Sequence, residues 1–194
     1  MGAGILGGMV LVVLLVVGVV VLGVVIWLIA AYNGLVRLRN VVESAWSQID
    51  VQLKRRYDLI PNLVETVKGY AAHEKETFER VIQARQRGMD ASNVKDQQAA
   101  ENMITGALRQ LFALSEAYPD LKANQNFLAL QEELASTENK IGFARQYYNE
   151  TVKDFNTRQQ VFPTNLVAGP FGFKPADFFE IEEPAAREAP KVKF

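Results

Sequence analysis

Hydrophobic and polar positions divide this chain into three regimes. The first is continuous: from Met1 to Tyr32 the residues are almost all apolar, and no charged side chain occurs before Arg37. About 20 such residues cross the roughly 30 Å hydrocarbon layer of a bilayer, and the run from Ile5 to Ala31 exceeds that. A helix satisfies its own backbone hydrogen bonds in lipid, even one built largely from valine and glycine. Trp27 and Tyr32 fall at the C-terminal end, where amphipathic rings favour the membrane–water interface. A cleaved signal peptide would need a basic leading region and an apolar core of about 7–15 residues, and this run has neither feature. The expectation is a retained anchor over residues 1–32.

The second regime has helical period. Leu35, Leu38, Val42, Ala45 and Ile49 recur at spacings of three and four with polar residues between them, so the anchor helix is expected to run on into a first amphipathic helix, at most kinked at Gly34. Pro61 disfavours helix at the residue before it, which predicts a break between Arg56 and Ile60 with Asp58 as the next N-cap. A second helix then carries Val64, Val67, Ala71, Phe78 and Val81 to a stop near Gly88, with Glu74 interrupting its apolar stripe. Ser92 or Asn93 caps a third, striped by Ala100, Ile104, Ala107, Leu111, Leu114 and Tyr118 and ended by Pro119. The fourth extends from about Asn124 to Gln160. Its 3–4 alternation through Phe127, Leu130, Leu134, Thr137, Ile141, Ala144 and Tyr148 is heptad-like and implies left-handed supercoiling against partner helices.

The third regime, residues 161–183, has no period. Four prolines and five phenylalanines fall between Phe162 and Pro184, which forbids a long helix and gives too many rings for a solvated tail. Either this segment fills grooves on the helical body or it docks on a neighbouring subunit or partner through Phe171, Phe173, Phe178 and Phe179. Residues 184–194 read as disordered. The predicted fold is all-α: one N-terminal transmembrane helix, an antiparallel four-helix bundle over residues 33–160, and an irregular tail.

Charge adds orientation. Arg37 and Arg39 follow the span and nothing basic precedes it beyond the α-amino group, a bias that places the N-terminus outside and the body in the cytoplasm. Lys and Arg total 21 against 22 Asp and Glu, so no strong field selects nucleic acid. The chain has no cysteine, which removes thiol chemistry, disulfides and cysteine-ligated zinc.

Candidate chemistry is sparse. His73 is the one histidine, and His73 with Glu76 reverses the Glu-x-x-His order of bundle di-iron sites and occurs once. Glu74 on an apolar stripe is either a buried carboxylate of shifted pKa or a stripe-edge residue neutralised by a neighbouring cation. A hidden enzyme would have to use Glu74 and His73. Lys54, Arg55 and Arg56 form a basic cluster that either touches acidic headgroups or is a solvated helix end. The stretch Leu121 to Phe127 serves as a loop with an N-cap or as a partner site. Gly4 and Gly8 have the small-xxx-small spacing of packed membrane helices. No enzymatic activity, cofactor or metal is expected.

Four stretches carry a resemblance: Tyr32 to Glu74, Glu116 to Phe127 (EAYPDLKANQNF), Ser136 to Val152 (STENKIGFARQYYNETV) and Phe162 to Phe173 (FPTNLVAGPFGF). Together they resemble the LemA family over nearly all of the chain after the anchor. The resemblance implies a single-pass protein of the bacterial cell envelope with a helical body and no established reaction, and it carries over no catalytic residue. Members have been linked to envelope stress, membrane proteases and magnetosome membranes. The expected role is a membrane-anchored scaffold that forms homo-oligomers. The alternative is an adaptor or sensor for a membrane protease or envelope-stress component.

Overall fold

The computed structural model describes residues 2–180, with side chains from Gly8 onward. The expectation of disorder at residues 184–194 falls outside the described residues. Six helices follow in order: α1 (Gly2–Lys68), α2 (Lys75–Asp90), α3 (Val94–Ser115), α4 (Pro119–Lys122), α5 (Gln125–Gln160) and α6 (Asn165–Ala168). The protein is all-helical, and no strand occurs among the described residues.

The predicted break before Pro61 is absent. α1 continues through Pro61 to Lys68, and Gly34 does not interrupt it either. Proline removes the N–H that would bond the carbonyl four residues back, here that of Tyr57. That carbonyl instead accepts a 2.7 Å hydrogen bond from Nε of Arg85. Ile60, Leu63, Val64 and Val67 are buried on either side of the proline, so packing holds the helix where local preference would end it. Asp58 is therefore an exposed residue within α1, not an N-cap. The helix ends instead in a turn after Lys68, and Glu74 becomes the half-buried residue that precedes α2. α2 ends at Asp90, close to Gly88 as expected, with Gly88 itself buried inside the helix.

α3 ends at Ser115, before the expected stop at Pro119, and Pro119 instead opens α4. Two helix starts follow their local signals. Asn93 caps α3, its side chain accepting from the Asp96 amide at 2.9 Å. Asn124 caps α5 in the same way toward Phe127 at 2.9 Å, and its amide nitrogen donates to the Tyr70 hydroxyl at 2.9 Å. Of the apolar stripe on α5, Phe127, Leu134, Thr137, Ile141 and Tyr148 are buried.

The chain forms two compact units. One comprises Met1–Glu43 with Thr151–Ala176, the other Ser44–Glu150 with Asp177–Phe194. In the first, every side chain from Gly8 to Ile26 is exposed, so no protein covers the apolar run. Beyond it, Ala31 and Leu35 bury against Val167 and Ala168 of α6, with Trp27, Leu28 and Phe173 packed on the same cluster. In the second unit, buried faces of α1, α2, α3 and α5 close a core that includes Ile49, Phe78, Ile104 and Ile141.

Candidate functional site

The centre of the second unit is charged. Arg56 and Glu101 are both fully buried and form an ion pair between α1 and α3, and Arg56 also bonds Glu138 of α5, which is part-exposed. Next along α1, the Tyr57 hydroxyl donates to the same Glu101 carboxylate. Gln97, one turn before Glu101, donates from Nε2 to that carboxylate at 3.0 Å and to the Tyr57 oxygen at 2.6 Å. Burial pushes the Tyr57 hydroxyl pKa up, and the neighbouring Arg56 charge opposes that shift. A buried carboxylate is tolerable only when cation and donors surround it, and Glu101 has one cation, Arg56, and two neutral donors, Tyr57 and Gln97. The cluster ties three helices in register. Arg56 and Glu101 are sealed from solvent, and Glu138 is the part-exposed member of the cluster.

Gly88 makes this arrangement possible. A Cβ there would stand 2.5 Å from the Tyr57 hydroxyl oxygen and 3.1 Å from Ile104, so a side chain at this position would displace the ring from Glu101. Sequence reading missed Arg56, Tyr57, Gln97 and Glu101 as a group. Two signals were present: charged and amide residues at otherwise apolar helical positions, and a glycine in a helix interior.

The basic cluster at 54–56 does not act as a unit. Lys54 pairs with Asp50 at 2.6 Å, Arg55 with Glu133 at 2.8 Å, and Arg56 points into the core. His73 is exposed in the turn before α2, while Glu76 pairs with Arg80 of its own helix. Among the described residues no three metal-ligating side chains converge.

The residues expected at the interface and in the tail divide between the two units. In the first unit the Tyr32 ring meets Phe171 at 5.2 Å and Phe173 at 5.7 Å, and the Arg39 guanidinium lies 5.7 Å over Phe173. Arg37 is exposed on α1. Ile5 and Ala31, the expected span ends, both lie within α1. In the second unit Phe179 is fully buried and packs edge-on against Trp46 at 5.4 Å. Its backbone is clasped by Asn149, which accepts from the Phe179 N–H at 2.9 Å and donates to its carbonyl at 3.0 Å. Tyr148 donates to the Asp177 carbonyl at 2.9 Å. Phe171 and Phe178 remain exposed.

On the outer face of the second unit, an open groove of about 430 Å³ between α1 and α5 is lined by Gln48, Val51, Gln52, Lys140, Phe143, Ala144 and Tyr147. Phe143 is 73% exposed and Val51 60%.

These features define an all-helical protein whose single N-terminal apolar helix is long enough to cross a membrane. The LemA family model matches residues 45–194, and the chain belongs to the LemA family. It is 31% identical over 140 residues to Protein LemA of Metamycoplasma hominis, covering 70% of this chain and 63% of that protein. Magnetosome protein MamQ 2 of Paramagnetospirillum magneticum is 25% identical over 184 residues, covering 81% of this chain and 67% of the relative. Magnetosome protein MamQ of Magnetospirillum gryphiswaldense is 23% identical with the same coverage. The chain thus spans about two-thirds of the length of these relatives.

Proposed function

We propose that this protein is a non-enzymatic, membrane-anchored scaffold of the LemA type, its body an antiparallel four-helix bundle that self-associates at the cytoplasmic membrane. The observation that carries the reading is the groove formed by Val51, Phe143 and Tyr147. Large rings and a valine standing exposed together on a polar helical body mark a binding surface. The sealing of Arg56 and Glu101 in the core supports a structural use for the buried charges. Arg37 and Arg39 just after the span favour the N-terminus outside and the body inside.

Light scattering of the full chain in mild detergent tests the reading. The expected mass exceeds that of one chain and falls to it in Phe143→Asp, whereas a monomer at every concentration overturns self-association. Photocrosslinking from position 143 or 178 in intact membranes identifies the partner. Homotypic products support the scaffold; a single heterologous product replaces it with an adaptor for a membrane protease or envelope-stress component.

A further inference from the structure

The segment Gln160 to Phe173 holds no charged residue, yet Phe162 is 78% exposed, Leu166 and Phe171 are each 60% exposed, and Val161 is 41% exposed. Four large apolar side chains left bare in one short turn are not explained by packing within the first unit. What that unit does with the rest of the turn is specific. Val167 and Ala168 bury against Ala31 and Leu35 of α1, and Trp27 and Leu28 join the same cluster. The turn is therefore docked on the last part of the apolar run. From Trp27 to Leu35 is about 12 Å of helix at 1.5 Å per residue, roughly the depth of one headgroup layer and its border with the acyl chains.

The docking is firm. Tyr32 meets Phe171 at a tilt and Phe173 edge-on, Arg39 lies over Phe173, and Phe155 meets Phe173 edge-on at 6.5 Å. Asn156 closes the far end, donating to the Ala176 carbonyl at 2.9 Å and accepting from its N–H at 2.8 Å. Gly172, at φ +73°, supplies the left-handed backbone that lets the chain reverse between the two rings. Charges resume outside the turn, with Arg158 before it and Lys174 after it, each exposed.

We propose that this turn is a second membrane contact: Val161, Phe162, Leu166 and Phe171 insert into the bilayer interface beside the anchor helix, and Arg39 and Lys174 stand at headgroup level. The inference rests on α1 spanning the bilayer, because continuity with that span selects lipid as the occupant. Transfer of these side chains from water into the interfacial layer follows the same area rule as any apolar burial. The anchor would then be a helix flanked by an aromatic wedge, resisting rotation about its own axis more than a bare span.

The absence of cysteine from the chain makes single-site labelling direct. The full-length variants Phe162→Cys, Leu166→Cys and Phe171→Cys are each spin-labelled and reconstituted in vesicles of phosphatidylcholine and phosphatidylglycerol. Val16→Cys reports the span and Glu132→Cys the water-exposed body. The expected result is that the three turn labels collide with oxygen more than with a water-soluble nickel chelate, as the Val16 label does, while the Glu132 label shows the reverse. Water-like collision at all three turn positions with a lipid-like Val16 label overturns the wedge and leaves the anchor standing. Turn labels shielded from both reagents, with spin–spin broadening lost on dilution by unlabelled protein, assign the turn to a second copy and also overturn it. A water-like Val16 label overturns the membrane span itself, and the wedge with it.

Discussion

The two units close their cores by opposite means. The first uses no buried ion pair among its described residues: it covers the end of an apolar helix with valine, alanine and aromatic rings, and turns more apolar surface outward. The second buries a full positive and a full negative charge and surrounds them with a tyrosine and a glutamine. Apolar contact is non-directional, so the first unit relies on ring contacts and on the paired Asn156 bonds to Ala176 to fix its geometry. A buried charge is unforgiving, because each unmet bond costs its full desolvation, and that makes the second unit the part with a defined helix register.

The largest expected effect breaks the second unit's charge pair. Arg56→Met leaves Glu101 buried without its cation and should cost about 3–5 kcal/mol. The double variant Arg56→Met with Glu101→Leu should recover most of that loss. Urea unfolding followed through Trp46 fluorescence, in a Trp27→Phe background, measures both. A double variant as unstable as the single would show that the pair does more than neutralise itself.

Glycine provides the next comparison. Gly88→Ala forces the Tyr57 ring from its partners and should cost about 1–3 kcal/mol. Gly106, inside α3 with open space around it, should gain up to about 1 kcal/mol as Gly106→Ala. Melting temperatures moving in opposite directions would show that one interior glycine is placed for contact and the other is not.

Pro61 and Arg85 form a testable cycle. Arg85→Ala orphans the Tyr57 carbonyl at a cost of about 1–3 kcal/mol. In a Pro61→Ala background the restored N–H can bond that carbonyl, so the same substitution should cost clearly less. Equal costs in both backgrounds would separate Arg85 from the proline.

The smallest effect under ordinary conditions is alkaline. Burial, aided by the Asp177 carboxylate, pushes the Tyr148 hydroxyl from 10.0 up to about 12, and Tyr57 is also raised. The folded chain then keeps protons that the unfolded chain has lost. Stability is unaffected below about pH 10 and declines as pH rises from there toward 12. Tyr148→Phe should flatten that decline, which urea midpoints across the window will show.

Much of the architecture was legible from residue spacing. Continuous apolarity identified an N-terminal helix long enough to cross a membrane, because bilayer thickness sets a length that few other elements reach. Asn93 and Asn124 located helix starts because a cap is a local hydrogen bond. Pro61 misled for the same reason in reverse: its preference is local, and it was overridden by Arg85, far along the chain, bonding the carbonyl that proline orphaned. Gly88 lies near the end of α2 as its spacing suggested, but its contact with the Tyr57 ring was not legible there.

What the sequence determined by itself was set by period and by short-range hydrogen bonding: an all-helical chain, an apolar N-terminal helix, the caps at Asn93 and Asn124 and an aromatic tail. What only the tertiary structure decided was which charges are interior and which rings are spare. Arg56 looks like its neighbours Lys54 and Arg55 until α3 brings Glu101 against it. Phe179 and Phe178 are adjacent and chemically identical, yet one is sealed on Trp46 and the other faces solvent. Burial depends on what other segments place around a side chain, and those neighbours are not written at the residue's own position.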